Sequence, residues 1–367
     1  MKEQTKLRVI ISGGGTGGHI YPAIAVAQAI QKRLNNQVEI LFVGASDRME
    51  MEKVPKAGYA IEGLWISGLQ RSLSIKNLLF PVKFLSAVSK SLGIINRFKP
   101  DLAIGFGGYA SGAMMYASSL KGIPSMIHEQ NSYAGITNKI LKNRVQKIAV
   151  AYDNMERFFP AQKIVKTGNP VRQDIVDFGN KRAEGINFFG LNQSKKTVLV
   201  IGGSLGARTI NQSIEQDLEL LRDANINLIW QTGKLFESSK VAHMPHSFSL
   251  KVSPFIYEMD LAYAAADIVI SRAGALSIAE LAIVAKPVIL VPSPNVSEDH
   301  QTKNAMALVE KDAAVMVKDI DAKMQLVQTA ISILSDEKRQ QKLGKNIHAM
   351  AITHAADRIV DELLALR

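Results

Sequence analysis

Gly13-Gly14-Gly15-Thr16-Gly17-Gly18-His19 follows the apolar run Leu7–Ile11 and leads into the helical pattern that continues to Ile30. Glycines in such a turn let the backbone approach a ligand closely, and the N–H groups of an opening helix favour an anion. His19 stands where that helix begins, a place that disfavours imidazolium and keeps the ring neutral. A neutral imidazole is suited to take a proton from an attacking hydroxyl. It is equally suited to hydrogen-bond the loop or a phosphate, and the residues alone leave both roles open. Gly13, Gly15 and Gly18 also satisfy the G-x-G-x-x-G spacing, but a dinucleotide site wants an acid closing the second strand, about 20 residues on. Here Val43 is followed by Gly44-Ala45-Ser46 and Asp47 comes late, so that reading fits poorly.

Three further glycine loops follow strand-like runs: Gly105-Phe106-Gly107-Gly108-Tyr109, Gly202-Gly203-Ser204-Leu205-Gly206 and Ser271-Arg272-Ala273-Gly274-Ala275-Leu276. Loops at strand C-termini are where open α/β sheets bind ligands. No G-x-x-x-x-G-K-[ST] sequence is present, which disfavours ordinary NTPase chemistry. Glu280 lies five residues after Ala275, about 7.5 Å along a helix. A carboxylate there can accept from both hydroxyls of a cis-diol; its bland alternative is an exposed helical Glu. Asp319-Ile320-Asp321 spells D-x-D, but it follows the last strand and starts a helix, so its aspartates are expected as N-caps rather than metal ligands. No metal and no cofactor is expected.

The elements that position these loops alternate along the chain. Apolar runs at Leu7–Ile11, Val38–Val43, Leu102–Ile104, Ser125–Ile127 and Lys147–Val150 are followed by a second set at Val198–Ile201, Leu228–Trp230, Ile268–Ile270, Val288–Val291 and Ala314–Val317. Helical patterns separate them, and beyond Asp321 only helix remains. This predicts βαβ units with parallel sheets, and the restart at Thr197 predicts an α/β chain of two Rossmann-like domains facing across a cleft. The expected boundaries are 1–165 and 166–347, with a helix at about 348–367 packing back on the first domain. The two domains join somewhere in Arg157–Arg172, where Pro160, Gly168 and Pro170 suit a linker.

Up to Arg172 there are 23 Lys or Arg against 10 Asp or Glu, and beyond it 21 against 23. The basic half suggests an anionic partner. Nucleic acid is disfavoured, since neither aromatic–basic interleaving nor a helix-turn-helix cue appears. The chain has no Cys, which excludes disulfides and thiolate metal sites; no secretory signal and no apolar run of spanning length is visible. Between Glu62 and Asp101 there is no acid. There, Leu78, Val82, Leu85, Val88, Leu92 and Ile95 recur at helical spacing as a core stripe. Ile75, Leu79 and Phe80 fall off that stripe beside Lys76 and Lys83, a pattern suited to an anionic lipid surface, with a partner interface or buried loop as the rival.

Seven segments together resemble the MurG family, inverting glycosyltransferases of the GT-B architecture: Gly13–Pro22, Gly105–Tyr109, His128-Glu129-Gln130-Asn131, Thr167-Gly168-Asn169-Pro170-Val171-Arg172, Gly202–Ala207, Ser271–Leu276 and Asp299-His300-Gln301. They fall in the family's order. The resemblance implies that Thr16, Gly17 and Gly18 lie near the donor sugar and the acceptor diphosphate, and that Asn131 and Arg172 contact sugar and phosphate. It implies that Ser204 meets the donor diphosphate and that the backbone of Ile256 reads uracil. Ala275, Leu276, Ser277, Ile278 and Ala279 would form the helix start beneath the diphosphate. Glu280 would bind the ribose and Gln301 the GlcNAc hydroxyls. The implied reaction transfers GlcNAc from UDP-GlcNAc to the muramoyl 4-hydroxyl of undecaprenyl-diphospho-muramoyl-pentapeptide. It proceeds with inversion, at the cytoplasmic face of an anionic inner membrane. The alternatives are another GT-B nucleotide-sugar enzyme or a UDP-GlcNAc epimerase.

Overall fold

Strands rich in Val, Ile and Leu on both sides of the pleat need cover on both faces, and the chain supplies it twice. The structure, a computed structural model, describes residues 6–68, 79–171, 175, 179, 181–203, 206–245, 247–296 and 299–367. They fall into two units, one of residues 1–171 with 354–367 and one of residues 172–353.

In the first unit the strands are β1 (Leu7–Ser12), β2 (Val38–Ala45), β3 (Ala60–Leu64), β4 (Leu102–Gly105), β5 (Ser125–Glu129), β6 (Lys147–Val150) and β7 (Ile164–Lys166). They form a parallel sheet in the order β3-β2-β1-β4-β5-β6-β7. Successive β1 residues feed opposite layers: Ile10 packs with Ile127, Ile148 and Met114, while Val9 and Ile11 pack with Ile20, Val26 and Phe42. The helix Ala355–Leu364 joins the second layer through Ile359, Val360 and Leu363, and Arg33 and Lys147 pair with its Asp361 and Glu362. Among the described residues its other α-helices are α1 (Gly17–Arg33), α2 (Glu50–Lys56), α3 (Phe80–Phe98), α4 (Tyr109–Leu120) and α5 (Ile136–Leu141).

The second unit repeats the plan with β8 (Thr197–Ile201), β9 (Asn227–Gln231), β10 (Leu250–Ser253), β11 (Ile268–Ser271), β12 (Val288–Leu290) and β13 (Val315–Met316) in the order β10-β9-β8-β11-β12-β13. All pairings in both sheets are parallel. In each sheet the strand order reverses beside the first strand of the unit, at β1/β4 and β8/β11. The four glycine loops follow those four strands, at the topological switch points where such sheets bind ligands.

The first unit runs on to Val171, so the junction falls inside Arg157–Arg172, and β7 within that stretch pairs with β6. One expectation needs correction. Val82 and Leu85 are not core. They are 56% and 67% exposed, while Ala87, Val88, Ser91, Ile94 and Ile95 are the buried face of α3. Pro81 falls in the first turn of α3, where its missing N–H costs no intrahelical bond.

Candidate functional site

In the first unit β1 ends at Ser12 and Thr16 takes the N-cap position of α1 in extended backbone, so Gly17, Gly18 and His19 form the first helical turn. The His19 ring turns back on the loop. Its Nδ1 lies 2.8 Å from the Gly14 carbonyl oxygen and 3.3 Å from Thr16 Oγ1. A carbonyl only accepts, so Nδ1 carries the proton and Nε2 is the nitrogen left to accept one. The loop after β4 closes against this ring. Gly107 and Gly108 have φ of +93° and +86°; a Cβ at Gly107 would stand 3.1 Å from His19 Nε2, and one at Gly108 2.5 Å from the Gly14 oxygen. Glycine is needed at both positions for backbone conformation and for approach.

A carboxylate missed by sequence reasoning sits beneath the first loop. Glu50, fully buried at the start of α2, accepts the Gly15 N–H at 3.2 and 3.1 Å through its two oxygens and the Ala45 N–H at 3.0 Å. It occupies the region after β2 where a dinucleotide fold would aim an acid at ribose, but here the acid points into the protein and holds the loop.

The His128-Glu129-Gln130-Asn131 segment forms a second braced layer. His128 Nε2 donates to the Gly168 carbonyl at 2.9 Å, and Gln130 Nε2 lies 3.0 Å from His128 Nδ1 and 3.1 Å from the Phe106 oxygen. Burial pushes the His128 imidazole down to about 4; the Gly168 bond opposes this and nearby His19 adds a smaller push in the same direction. Glu129 accepts from the Asn131 backbone and side chain at 3.1 and 3.3 Å, from Gly135 N–H at 3.0 Å and from Asn138 at 2.8 Å. Asn131 is thus held by Glu129. Asn169 donates to the Gln130 carbonyl at 3.0 Å, which fixes the strand of chain leading to Arg172. Arg172 itself lies outside the described residues, as does Ser204 in the second unit.

In the second unit the helix Ala275–Val284 starts after Gly274, and its first internal bond runs from Ile278 N–H to the Gly274 carbonyl at 2.9 Å. The N–H groups of Leu276 and Ser277 precede that bond and have no carbonyl four residues back within the helix. Glu280 follows Ala279 in the same helix, and its Oε2 accepts from the hydroxyl of buried Tyr263 at 3.1 Å. Ile256 is buried. Its backbone N–H donates to Gln231 Oε1 at 3.0 Å, and Gln231 Nε2 donates to the Gly203 carbonyl at 3.2 Å. One carboxamide therefore ties the segment expected to read the base to the loop expected to meet the diphosphate, and the Ile256 N–H is already engaged. Gln301, in the first turn of the helix His300–Val309, accepts the Ser293 N–H at 2.8 Å.

Asp319 and Asp321 do not act as side-chain caps. Instead Asp319 pairs with Arg272 at 2.5 Å and accepts from Thr209 at 2.9 Å, while Arg272 also donates to the carbonyls of Val291 and Pro292. The D-x-D segment thus anchors the loop that launches the Ala275 helix. Sequence spacing gave no signal for that pairing, because Arg272 and Asp319 are far apart in the chain.

On the outer face of α3, Leu79 is 50% exposed and aligns with Val82 and Leu85. Phe80 instead packs its ring against Phe84 and Tyr109, with centroids 6.2 and 6.0 Å away. Lys83 lies over exposed Trp65 at 5.4 Å. Ile75 and Lys76 lie outside the described residues. Among the described residues no helix is long and apolar enough to cross a membrane.

Residues 9–150 match the model of the glycosyltransferase family 28 N-terminal domain, and residues 197–359 that of the glycosyltransferase family 28 C-terminal domain. The whole chain is 56% identical to the UDP-N-acetylglucosamine–N-acetylmuramyl-(pentapeptide) pyrophosphoryl-undecaprenol N-acetylglucosamine transferase of Cytophaga hutchinsonii, covering 98% of it. It is 54% identical to the protein of the same name from Parabacteroides distasonis, over 98% of each chain. The crystal structure of Acinetobacter baumannii MurG superimposes with a TM-score of 0.79 at 28% identity, covering 98% of this chain and 99% of that one.

Proposed function

The chain belongs to glycosyltransferase family 28, and from that membership we propose that it transfers GlcNAc from UDP-GlcNAc to the muramoyl 4-hydroxyl of undecaprenyl-diphospho-muramoyl-pentapeptide, forming a β-1,4 bond. The observation that carries this reading is 56% identity, along the full chain, to a transferase named for that donor and acceptor. The acceptor is assigned to the first unit, with Thr16, Gly17, Gly18 and Asn131 as its contacts, and the donor to the second. There the start of the Ala275 helix takes the diphosphate, aided by Ser204 and Arg172. Glu280 takes the ribose hydroxyls, the carbonyl of Ile256 takes uracil and Gln301 takes the GlcNAc hydroxyls.

In the proposed step the muramoyl 4-oxygen attacks the anomeric carbon on the face opposite UDP. The carbon–oxygen bond to the diphosphate breaks and the configuration inverts. His19 Nε2 takes the hydroxyl proton, a role its Nδ1–Gly14 bond prepares by fixing the tautomer. The charge leaving on UDP is met by helix N–H groups aimed in advance, the logic of any preorganised anion site. No divalent ion is assigned to Asp319, whose two oxygens are engaged by Arg272 and Thr209. The basic first unit, with Leu79, Val82 and Leu85 exposed on α3, rests on an anionic membrane surface beside its lipid-linked acceptor. We assign this to the cytoplasmic face.

Incubation with labelled UDP-GlcNAc and a lipid-linked muramyl-pentapeptide is expected to give a β-1,4-linked disaccharide lipid and UDP, with or without chelator. Consumption of UDP-GlcNAc without acceptor, giving an epimeric UDP-sugar, would overturn the proposal in favour of an epimerase.

A further inference from the structure

The Gly14–Gly15 peptide is engaged at both ends. Its carbonyl accepts the His19 Nδ1 proton at 2.8 Å, and its N–H donates to both oxygens of Glu50 at 3.2 and 3.1 Å. A planar trans amide carries these two groups in opposite directions, so carboxylate, amide and imidazole form one hydrogen-bonded chain. The fold makes room for it. A Cβ at Gly14 would stand 2.0 Å from Glu50 Oε1, and one at Gly44 2.5 Å from Glu50 Cγ. Glu50 is fully buried, and the Ala45 N–H pins its Oε1 to the end of β2 at 3.0 Å. Gly15 sits at φ +84°, so the peptide is fixed in a turn that other residues rarely adopt.

We propose that Glu50 is a positioning residue for His19, acting through the Gly14–Gly15 peptide to hold the Nδ1–H tautomer and to stabilise the ring when Nε2 takes the acceptor's proton. This rests on the reading of His19 as the general base. A carboxylate bound to an amide N–H polarises the amide, and its carbonyl becomes a stronger acceptor, since hydrogen bonds in a chain reinforce one another. The result is the carboxylate–imidazole logic of hydrolase triads with a peptide group inserted between the partners. His128 also interacts with His19; with its imidazole pushed down to about 4 it is uncharged at neutral pH and does not oppose charge on His19. Thr16 Oγ1, 3.3 Å from the same Nδ1, is neutral.

The test uses the full chain with Glu50→Gln and Glu50→Asp. Two readouts are needed: steady-state pH profiles, and ¹⁵N spectra of the histidine rings with His19 assigned by His19→Ala. In the wild type, His19 is expected as the Nδ1–H tautomer at neutral pH. Glu50→Gln is expected to lower kcat about 10- to 100-fold, with both KM values changed less than about threefold. It should also shift the acid limb of the kcat profile and the His19 ring titration to lower pH, and Glu50→Asp should recover part of each. Adding Glu50→Gln to His19→Ala should cost nothing further. The proposal is overturned if Glu50→Gln lowers turnover while tautomer, ring titration and acid limb stay in place, for then Glu50 only props the loop. If Glu50→Gln does not fold, the ring spectra of Glu50→Asp decide, and an unchanged His19 overturns the proposal. Near-normal turnover in His19→Ala would instead remove the base reading, and the ring spectra would still decide whether Glu50 acts on His19.

Discussion

The two units place glycine loops at the same points of the same sheet plan, yet brace them with different chemistry. Around the first loop lie buried side chains that hold it and the neighbouring loops: Glu50 on Gly15 and Ala45, His128 on Gly168, and Glu129 on Asn131, Gly135 and Asn138. In the second unit the bracing comes from the Arg272–Asp319 pair and from the neutral buried amides of Gln231 and Asn304, and the helix start keeps N–H groups that the helix cannot satisfy. The difference follows from the chemistry proposed for each. A base must keep one tautomer in one orientation, and buried networks enforce that. A leaving diphosphate needs donors with no competing acceptor. The first unit is therefore expected to lose rate when perturbed, and the second to lose affinity.

The sharpest break of that contrast is His19→Ala. A general base is typically worth about 10²- to 10⁴-fold, so kcat should fall by that range while UDP affinity, measured by calorimetry, stays within about twofold. Loss of UDP binding with normal turnover would reverse the assignment of the two units.

Much of this division was legible in the residues, and the part that was not has a physical cause. The central strands announce themselves as continuous Val, Ile and Leu because both faces are covered. The strands missed are β3, β7 and β10, which are all sheet edges. Their residues, Leu64 apart, are only partly buried or exposed, so Ala60–Leu64, Ile164–Lys166 and Leu250–Ser253 carry no full apolar run. The glycine loops and the Ala275 helix start could be read locally. Glu50 could not, because its partners are backbone N–H groups of another loop, and nothing in a sequence marks which acid will turn inward. Val82 and Leu85 fell into a core stripe for a related reason. Helical spacing says which residues share a face, but not whether anything covers it.

His128 sharpens the comparison through pH. Its imidazole is held down to about 4 by burial, against about 6.5 in an unfolded chain. The unfolded state then binds more protons between those values, so stability is complete above about pH 6.5 and falls as pH drops towards 4. The loss is about 3 kcal/mol. It belongs to the first unit, so amides of β5 should lose exchange protection on acidification more than amides of β8. His128→Gln, which keeps a donor for Gly168, should abolish that difference. Equal acid loss in both units for wild type and variant would assign the sensitivity elsewhere.

Glu280 tests the second unit. Charged hydrogen bonds contribute about 1.5–3 kcal/mol, so Glu280→Ala should weaken UDP roughly 10- to 150-fold, with Glu280→Gln between. Wild type should also bind 2′,3′-dideoxy-UDP less well than UDP, while Glu280→Ala should hardly distinguish them. Were both proteins to lose the same factor, the ribose would have another ligand, and the Tyr263–Glu280 contact would be only structural.

The smallest effect concerns the outer face of α3, in the more basic of the two units. Leu79, Val82 and Leu85 are spaced three residues apart and are half or more exposed, so they lie within one arc of the helix. Lys83 spreads over Trp65 and reaches Ser67 at 2.8 Å, while Lys90 reaches the Gly63 carbonyl at 2.7 Å, so the same helix carries exposed apolar side chains and cationic heads tied to β3 and the segment after it. Such a helix gains from burial in the acyl boundary and from anionic headgroups together. Leu85→Ser, the most exposed of the three, should lower partitioning onto anionic vesicles about fivefold, from the partial loss of one buried Leu side chain. Phe80→Ser should act differently, since Phe80 packs on Phe84 and Tyr109: it should lower thermal stability more than vesicle binding. Sedimentation with neutral and anionic vesicles, at low and high salt, separates the two contributions. If wild type sediments equally with both vesicle types, the basic charge of the first unit has no part in docking. If Leu85→Ser binds like wild type, α3 is not the docking face, and its exposed side chains await a protein partner instead.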